Sequence, residues 1–181
     1  DRVWHYTSFN IDPEKQYRNL EKGEKGDIRT LTGELPEALK GWLKTDFDTS
    51  KWQKGPAPIG KGKWATSHKN KKHKAQEDKR KQMIGSEWGE GNMLLMKTTF
   101  ELKRTDIAAY RLCLQSTCSF FVYLNGHLIK NYPWWQHERI RKWDVAEEHA
   151  KYMKQGTNEL AFYGNIKEHR GRMFNAVDLY F

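Results

Sequence analysis

The run Phe120-Phe121-Val122-Tyr123-Leu124-Asn125-Gly126 constrains this chain more than any other stretch. β-Branched and aromatic residues suit a pleated, half-buried backbone, and Asn-Gly supplies the positive φ angles of a tight type I′ turn, so the run predicts a strand entering a hairpin. His127-Leu128-Ile129 is the returning strand. Taking Val122 and Leu124 as inward and Tyr123 as outward sets the register, because a slip of one residue moves every side chain to the other face.

Further strands arrange themselves around that hairpin. Arg2 to Phe9, with Val3, Trp4, Tyr6 and Phe9, reads as an edge strand closed by the Asp12-Pro13 turn. Leu94 to Leu102 is a strand, and Tyr110-Arg111-Leu112-Cys113-Leu114 alternates with period two. Ile140 to Val145, Asn158 to Tyr163 and Met173 to Phe181 complete the set. Little helix is expected. Pro36 to Leu43 suits one short helical turn limited by Gly41, and residues 13–33 read as irregular with at most one more. Asp144 and Glu147 have capping-box spacing before Ala146, Ala150 and Met153, with Gly156 as the stop. In Asp46-Phe47-Asp48-Thr49-Ser50-Lys51-Trp52 the polar residues favour a turn, while Phe47 and Trp52 plug its underside into the core. Gly55-Pro56-Ala57-Pro58 breaks regular structure, so residues 53–92 read as one long excursion.

About eight strands without βαβ alternation predict an all-β antiparallel sandwich or jelly roll. A length of 181 residues suits one domain, with 1–41 as an N-terminal strand plus irregular extension and 61–92 as a basic loop insertion. One core is expected. Only 37% of residues are apolar, so eight Trp, eight Tyr and eight Phe must supply much of its bulk.

Charge is concentrated as well. Of the formal +9, residues 61–82 carry nine Lys and Arg against Glu77 and Asp78, leaving +2 for the rest. Such a block attracts polyanions or stands as a solvated loop. The same β parity that turns Cys118 inward with Val122 turns Cys113 outward between Leu112 and Leu114. Two free thiols are therefore expected, and a bulge between them would reverse this. No run approaches the roughly 18 apolar residues of a membrane span. The chain opens Asp1-Arg2-Val3 and reads as a mature or excised piece of a longer polypeptide.

The ordered set Met96-Lys97-Thr98-Thr99-Phe100, Val122-Tyr123-Leu124-Asn125-Gly126, Trp143-Asp144-Val145 and Lys154-Gln155-Gly156-Thr157-Asn158-Glu159-Leu160-Ala161 resembles the galactose-binding-like β-sandwich domains. These include the sugar-binding jelly-roll domains of family 2 glycoside hydrolases and related secreted bacterial polysaccharide-degrading enzymes. Asp46-Phe47-Asp48 with Trp52 resembles their early turn, and the likeness covers residues 42–181. It implies a secreted, extracellular or periplasmic, accessory module without catalytic machinery, beside a catalytic domain of the same chain. The matching residues are mostly scaffold. Where such domains often carry an acidic pair, this chain has Thr117 and Cys118.

A glycan site needs a flat aromatic face for the sugar ring and planar polar groups for its hydroxyls. Trp134, Trp135, Gln136 and His137 offer both in one loop; alternation exposes one indole, unless both pack under the hairpin. Asn165, His169, Arg170 and Arg172 form a second candidate cluster, whose arginine forks suit sulfate or carboxylate and so an anionic glycan. Enzymatic readings are weaker. Glu138, Asp144 and Asp178 have no spacing that holds two carboxyls about 5–9.5 Å apart across a cleft. No Cys-His set has zinc spacing, and His68 and His73 sit among lysines. Asp46 and Asp48 make a candidate structural calcium position; no other cofactor is indicated. Two alternatives stand beside glycan binding: a spacer that docks an enzyme domain, and nucleic-acid binding through Lys69-Asn70-Lys71-Lys72-His73-Lys74, ranked lower because no aromatic interleaves that block.

Overall fold

The computed structural model describes residues 2–19, 29–61, 85–87, 89–106, 110–116, 119–132, 140–144, 147–165 and 173–180. Their strands are β1 (Val3–Phe9), β2 (Tyr17–Asn19), β3 (Arg29–Leu31), β4 (Gln53–Pro56), β5 (Ile59–Lys61), β6 (Ser86–Glu87) and β7 (Met93–Leu102). There follow β8 (Arg111–Ser116), β9 (Phe120–Leu124), β10 (His127–Tyr132), β11 (Ile140–Asp144), β12 (Gly156–Asn165) and β13 (Met173–Tyr180). A six-stranded sheet runs β10-β9-β12-β7-β1-β4, a five-stranded sheet runs β11-β8-β13-β5-β6, and β2 pairs with β3. Every pairing is antiparallel except β5 with β6. The chain is an all-β sandwich. Sequence neighbours part company in both sheets, β9 lying beside β12 and β8 beside β13, as Greek-key connections in a jelly roll require.

The hairpin forms as its sequence dictates. Asn125 and Gly126 take φ 49° and 80°, the left-handed pair a type I′ turn needs. Val122 and Leu124 are fully buried and Tyr123 points to the other face. On the return strand the register shifts between Leu128 and Lys130, and Ile129 turns into the core at 6% exposure. Such a bulge twists an edge strand away from edge-to-edge pairing.

Two apolar clusters replace the single expected core. Between the sheets, Trp4, Leu94, Met96, Phe120, Val122 and Phe162 pack with Tyr6, Ile59 and Leu112. On the outer face of the six-stranded sheet, Met93, Leu95, Ala161 and Tyr163 pack against Leu31, Trp42 and Trp52 from the segment that precedes β4. With both faces covered, residues 93–98 of β7 are all buried, which is why that strand reads as a near-continuous apolar run rather than an alternation. Residues 31–52 thus form a strap across the sheet. Its underside is aromatic: Trp42 meets Tyr123 edge-on at 5.8 Å, and Phe47 meets Trp52 at 5.9 Å.

Several expectations are corrected by this arrangement. β1 is interior rather than an edge, because β4 adds beyond it. Residues 53–61 are not irregular but supply β4 and β5, and Ser86–Glu87 joins β5, so the described parts of the 53–92 excursion belong to the sandwich. Residues 17–19 and 29–31 pair as strands instead of forming loop. Among the described residues the capping-box segment is helical only over Glu147–Ala150, and Gly156 opens β12 rather than ending a helix. The short helical turns expected within 13–33 and 36–43 form as 3-10 turns at Pro13–Lys15 and Glu37–Leu39. Cys113 carries a free thiol and Leu112 beside it is buried, as the parity predicts, while Cys118 lies outside the described residues. Among the described residues no helix is long and apolar enough to cross a membrane.

Candidate functional site

Strand register shows where the candidate loops attach. Phe120 pairs with Tyr132 on one side and Gly164 on the other, and Ser119 O accepts the Asn165 N–H at 3.2 Å. In the other sheet Gln115 pairs with Ile140, and Ser116 pairs with Asn175. Only two residues separate Ser116 from Ser119, so these positions occupy one end of the sandwich. Met173 pairs with Lys61 there, and Met93 with both Phe9 and Asn165. The chain therefore leaves this end after Lys61, Ser116, Tyr132 and Asn165.

Trp134, Trp135 and His137 fall between Tyr132 and Ile140, and His169, Arg170 and Arg172 between Asn165 and Met173. All six lie outside the described residues, as do His68, His73, Trp64, Trp88 and Glu138. The structure does bring their attachment points together. The two segments depart from the strands on either side of β9 and rejoin the other sheet on either side of β8.

Asn165 is described, and it stands inside the scaffold. It is 1% exposed, and its Nδ2 donates to Oε1 of Gln16, itself 5% exposed, at 3.2 Å. Gln16 is anchored in turn, its carbonyl accepting the Thr32 N–H at 3.0 Å. Asn92 fastens the neighbouring chain, its Nδ2 donating to Ile11 O at 2.7 Å and its Oδ1 accepting the Ile11 N–H at 2.9 Å. The base of this end is thus knit together by side-chain amides that bond to the chain around them.

The broad outer face of the six-stranded sheet is the other surface a ligand could use, and the strap occupies it. Lys97, 5% exposed, donates from Nζ to Trp42 O at 2.7 Å and Lys44 O at 3.1 Å, and pairs with Glu159 Oε2 at 2.8 Å. Burial pushes the Glu159 carboxyl above its ordinary value, against the hydrogen bond and charge of Lys97 and the charge of Lys154. Burial likewise raises Tyr123. His5 Nδ1 shares a hydrogen bond with Thr49 Oγ1 at 2.8 Å, and burial first, Lys54 second, hold its ring below the usual histidine range. Nothing in the β-period of the sequence announced the Lys97–Glu159 pair; the signal was a lysine directly after four apolar residues of one strand.

At the opposite end the motif residues prove to be scaffold. Asn125 Nδ2 donates to Tyr152 O at 2.7 Å and Asn158 Oδ1 at 2.8 Å, while its Oδ1 accepts the Glu159 N–H at 2.8 Å. Asn158 Nδ2 donates to Lys154 O and Gly156 O. His127 stacks on Tyr152 at 3.9 Å, a surface pair that no sequence pattern announced.

Asp144 and Asp178 sit on strands separated by β8, opposite Arg111 and Cys113. Glu159 is engaged by Lys97. Asp48 Oδ1 accepts the Ser50 N–H at 2.8 Å, and hydrogen bonds from the Ser50 backbone and side chain hold its carboxyl below the ordinary range. Among the described residues no three His, Cys, Asp or Glu gather as a metal set.

No family model matches the chain, and no curated protein matches it. Among solved structures it is similar to a glycosyl hydrolase family 2 member from Bacteroides cellulosilyticus, at 11% identity and TM-score 0.47, over 98% of this chain and 20% of that one. It is similar to a β-glucuronidase from Bifidobacterium dentium at 14% identity and TM-score 0.46, over 90% and 19%. A PA14 sugar-binding domain from an RTX adhesin aligns at 10% identity and TM-score 0.37, over 99% and 88%. The chain spans about one fifth of the length of the two enzymes. With identity this low and TM-scores under 0.5, the similarity adds nothing to the sandwich that the strand pairing defines, and it carries no ligand to this chain.

Proposed function

We propose that this chain is a non-catalytic carbohydrate-binding module of a larger secreted bacterial polysaccharide-processing protein, and that it takes an anionic glycan across the end of the sandwich bounded by Ser119, Tyr132, Asn165 and Met173. The observation that carries this reading is the register that roots the 133–139 and 166–172 segments at one end. Trp134 or Trp135 supplies the sugar platform, and His137, His169, Arg170 and Arg172 the polar contacts, with Asn165 as the buried post beneath them. The strap closes the alternative surface on the outer sheet face. The sequence likeness to galactose-binding-like domains supports the same class of ligand.

Charge supports the anionic preference. Residues 62–84, which leave this end after Lys61 and rejoin at Gly85 beside Pro58, hold eight cations against two anions, 166–172 three against one, and 133–139 one against one, so segments that depart from this end carry +8 of the formal +9. A charge asymmetry of that kind raises the local concentration of a polyanion and speeds its capture. Glycan-array binding in moderate salt, lost in a Trp134→Ala/Trp135→Ala double variant, is the expected result. Failure to bind any glycan, or equal binding by the double variant, would overturn the reading, the first in favour of a spacer domain.

A further inference from the structure

We infer that Asn125 is a deamidation site gated by the fold, and that modification there is incompatible with the closed hairpin end. Asn125 precedes Gly126, whose backbone nitrogen has no side chain to shield it. Attack by that nitrogen on the Asn125 amide carbon forms a five-membered succinimide. The new bond is N to Cγ, the Cγ–Nδ2 bond breaks, and the displaced nitrogen leaves as ammonia with the proton of the Gly126 N–H. One water then opens the ring at either carbonyl, giving aspartate or its isoaspartyl isomer, with no change of oxidation state.

In the folded chain the amide cannot reach Gly126. Three hydrogen bonds hold it, two from Nδ2 to Tyr152 O and Asn158 Oδ1 and one into Oδ1 from the Glu159 N–H. The Asn125 N–H is also held, by Glu159 O at 2.9 Å. Reaction requires all three side-chain bonds to break together, so it proceeds through an opened state of the hairpin end.

The product cannot return to the same place. A carboxylate oxygen at the Nδ2 position faces two oxygens, Tyr152 O at 2.7 Å and Asn158 Oδ1 at 2.8 Å, with no proton between them. Asn158 cannot turn over to help. Its Nδ2 is committed to Lys154 O at 2.6 Å and Gly156 O at 2.9 Å, and its Oδ1 to the Lys154 N–H at 3.0 Å. Reversing it would set its oxygen against two carbonyls. Deamidation therefore converts a transient opening into a permanent one.

The test is peptide mapping across residue 125 after incubation of the full chain in mildly alkaline buffer, native and in urea. The native chain should deamidate at least about tenfold more slowly, because the reaction draws only on the opened population. Asn158→Ala, which removes one acceptor from the clasp, should raise the native rate, and chain deamidated in urea should melt below unmodified chain after the urea is removed. Equal native and urea rates in the wild-type chain, an Asn158→Ala rate unchanged from wild type, or modified chain melting at the unmodified temperature would each overturn the proposal.

Discussion

Lys97 and Glu159 pair diagonally across β7 and β12, beneath the strap, with side chains 6% and 12% exposed. Breaking such a pair by removing one partner leaves a buried charge, so Lys97→Met is expected to destabilise the chain by about 3–5 kcal/mol, whereas a Lys97→Met/Glu159→Leu double variant recovers most of that loss in urea unfolding. The carboxyl has its own pH signature. Burial holds its folded value above the ordinary 4.5, so the folded chain binds this proton more tightly than the unfolded chain does. Its contribution is thus greatest below pH 4.5 and declines as pH rises from there through the folded value. Wild type should lose stability relative to Glu159→Gln across that window; a relative gain would mean the Lys97 attraction outweighs burial. A second residue test contrasts two glycines with positive φ. A Cβ at Gly91 would lie 2.8 Å from the Phe9 backbone nitrogen and oxygen, whereas one at Gly156 meets nothing within 4 Å. Gly156→Ala should cost about 1–2 kcal/mol from its left-handed conformation alone. Gly91→Ala should cost more, because backbone must move as well, and thermal melts of the two variants compare them directly.

The strap covers the outer face of the six-stranded sheet, and its sequence disclosed only part of it: Phe47 and Trp52 pack inward as their turn predicts, whereas the packing of Leu31 and Trp42 has no local signal. Trp42 is 4% exposed and packs on Tyr123, so Trp42→Ala is expected to cost about 3–5 kcal/mol, read as a lower urea midpoint. An unchanged midpoint would show that the strap adds nothing to the fold. Its burial was hard to foresee because Leu31, Leu35, Leu39 and Trp42 follow no strand period; they share a surface only once the sheet is in place. The hairpin was legible for the opposite reason. Asn-Gly fixes the turn locally, and alternation around Val122 fixes the faces without any distant partner. Gly55-Pro56-Ala57-Pro58 misled because Gly and Pro usually end strands, yet β4 lies at a sheet edge, where the missing proline N–H is tolerated.

At the scale of the whole molecule, the sandwich has one closed face, one scaffold end and one end from which the charged segments leave. The class of fold was readable from strand count and the lack of βαβ alternation. The shared root of the 133–139 and 166–172 segments was not, since it depends on β9 standing beside both β10 and β12, a strand order no local pattern encodes. That shared root also makes the proposed site testable whichever anionic glycan it prefers. Backbone amide shifts recorded by NMR during addition of a sulfated or uronate-rich oligosaccharide map the contact directly. Changes concentrated at Ser119, Tyr132, Asn165 and Met173, weakening as salt is raised, are the predicted result. Changes centred on Asn125, His127 and Tyr152, or spread over the strap, would contradict it.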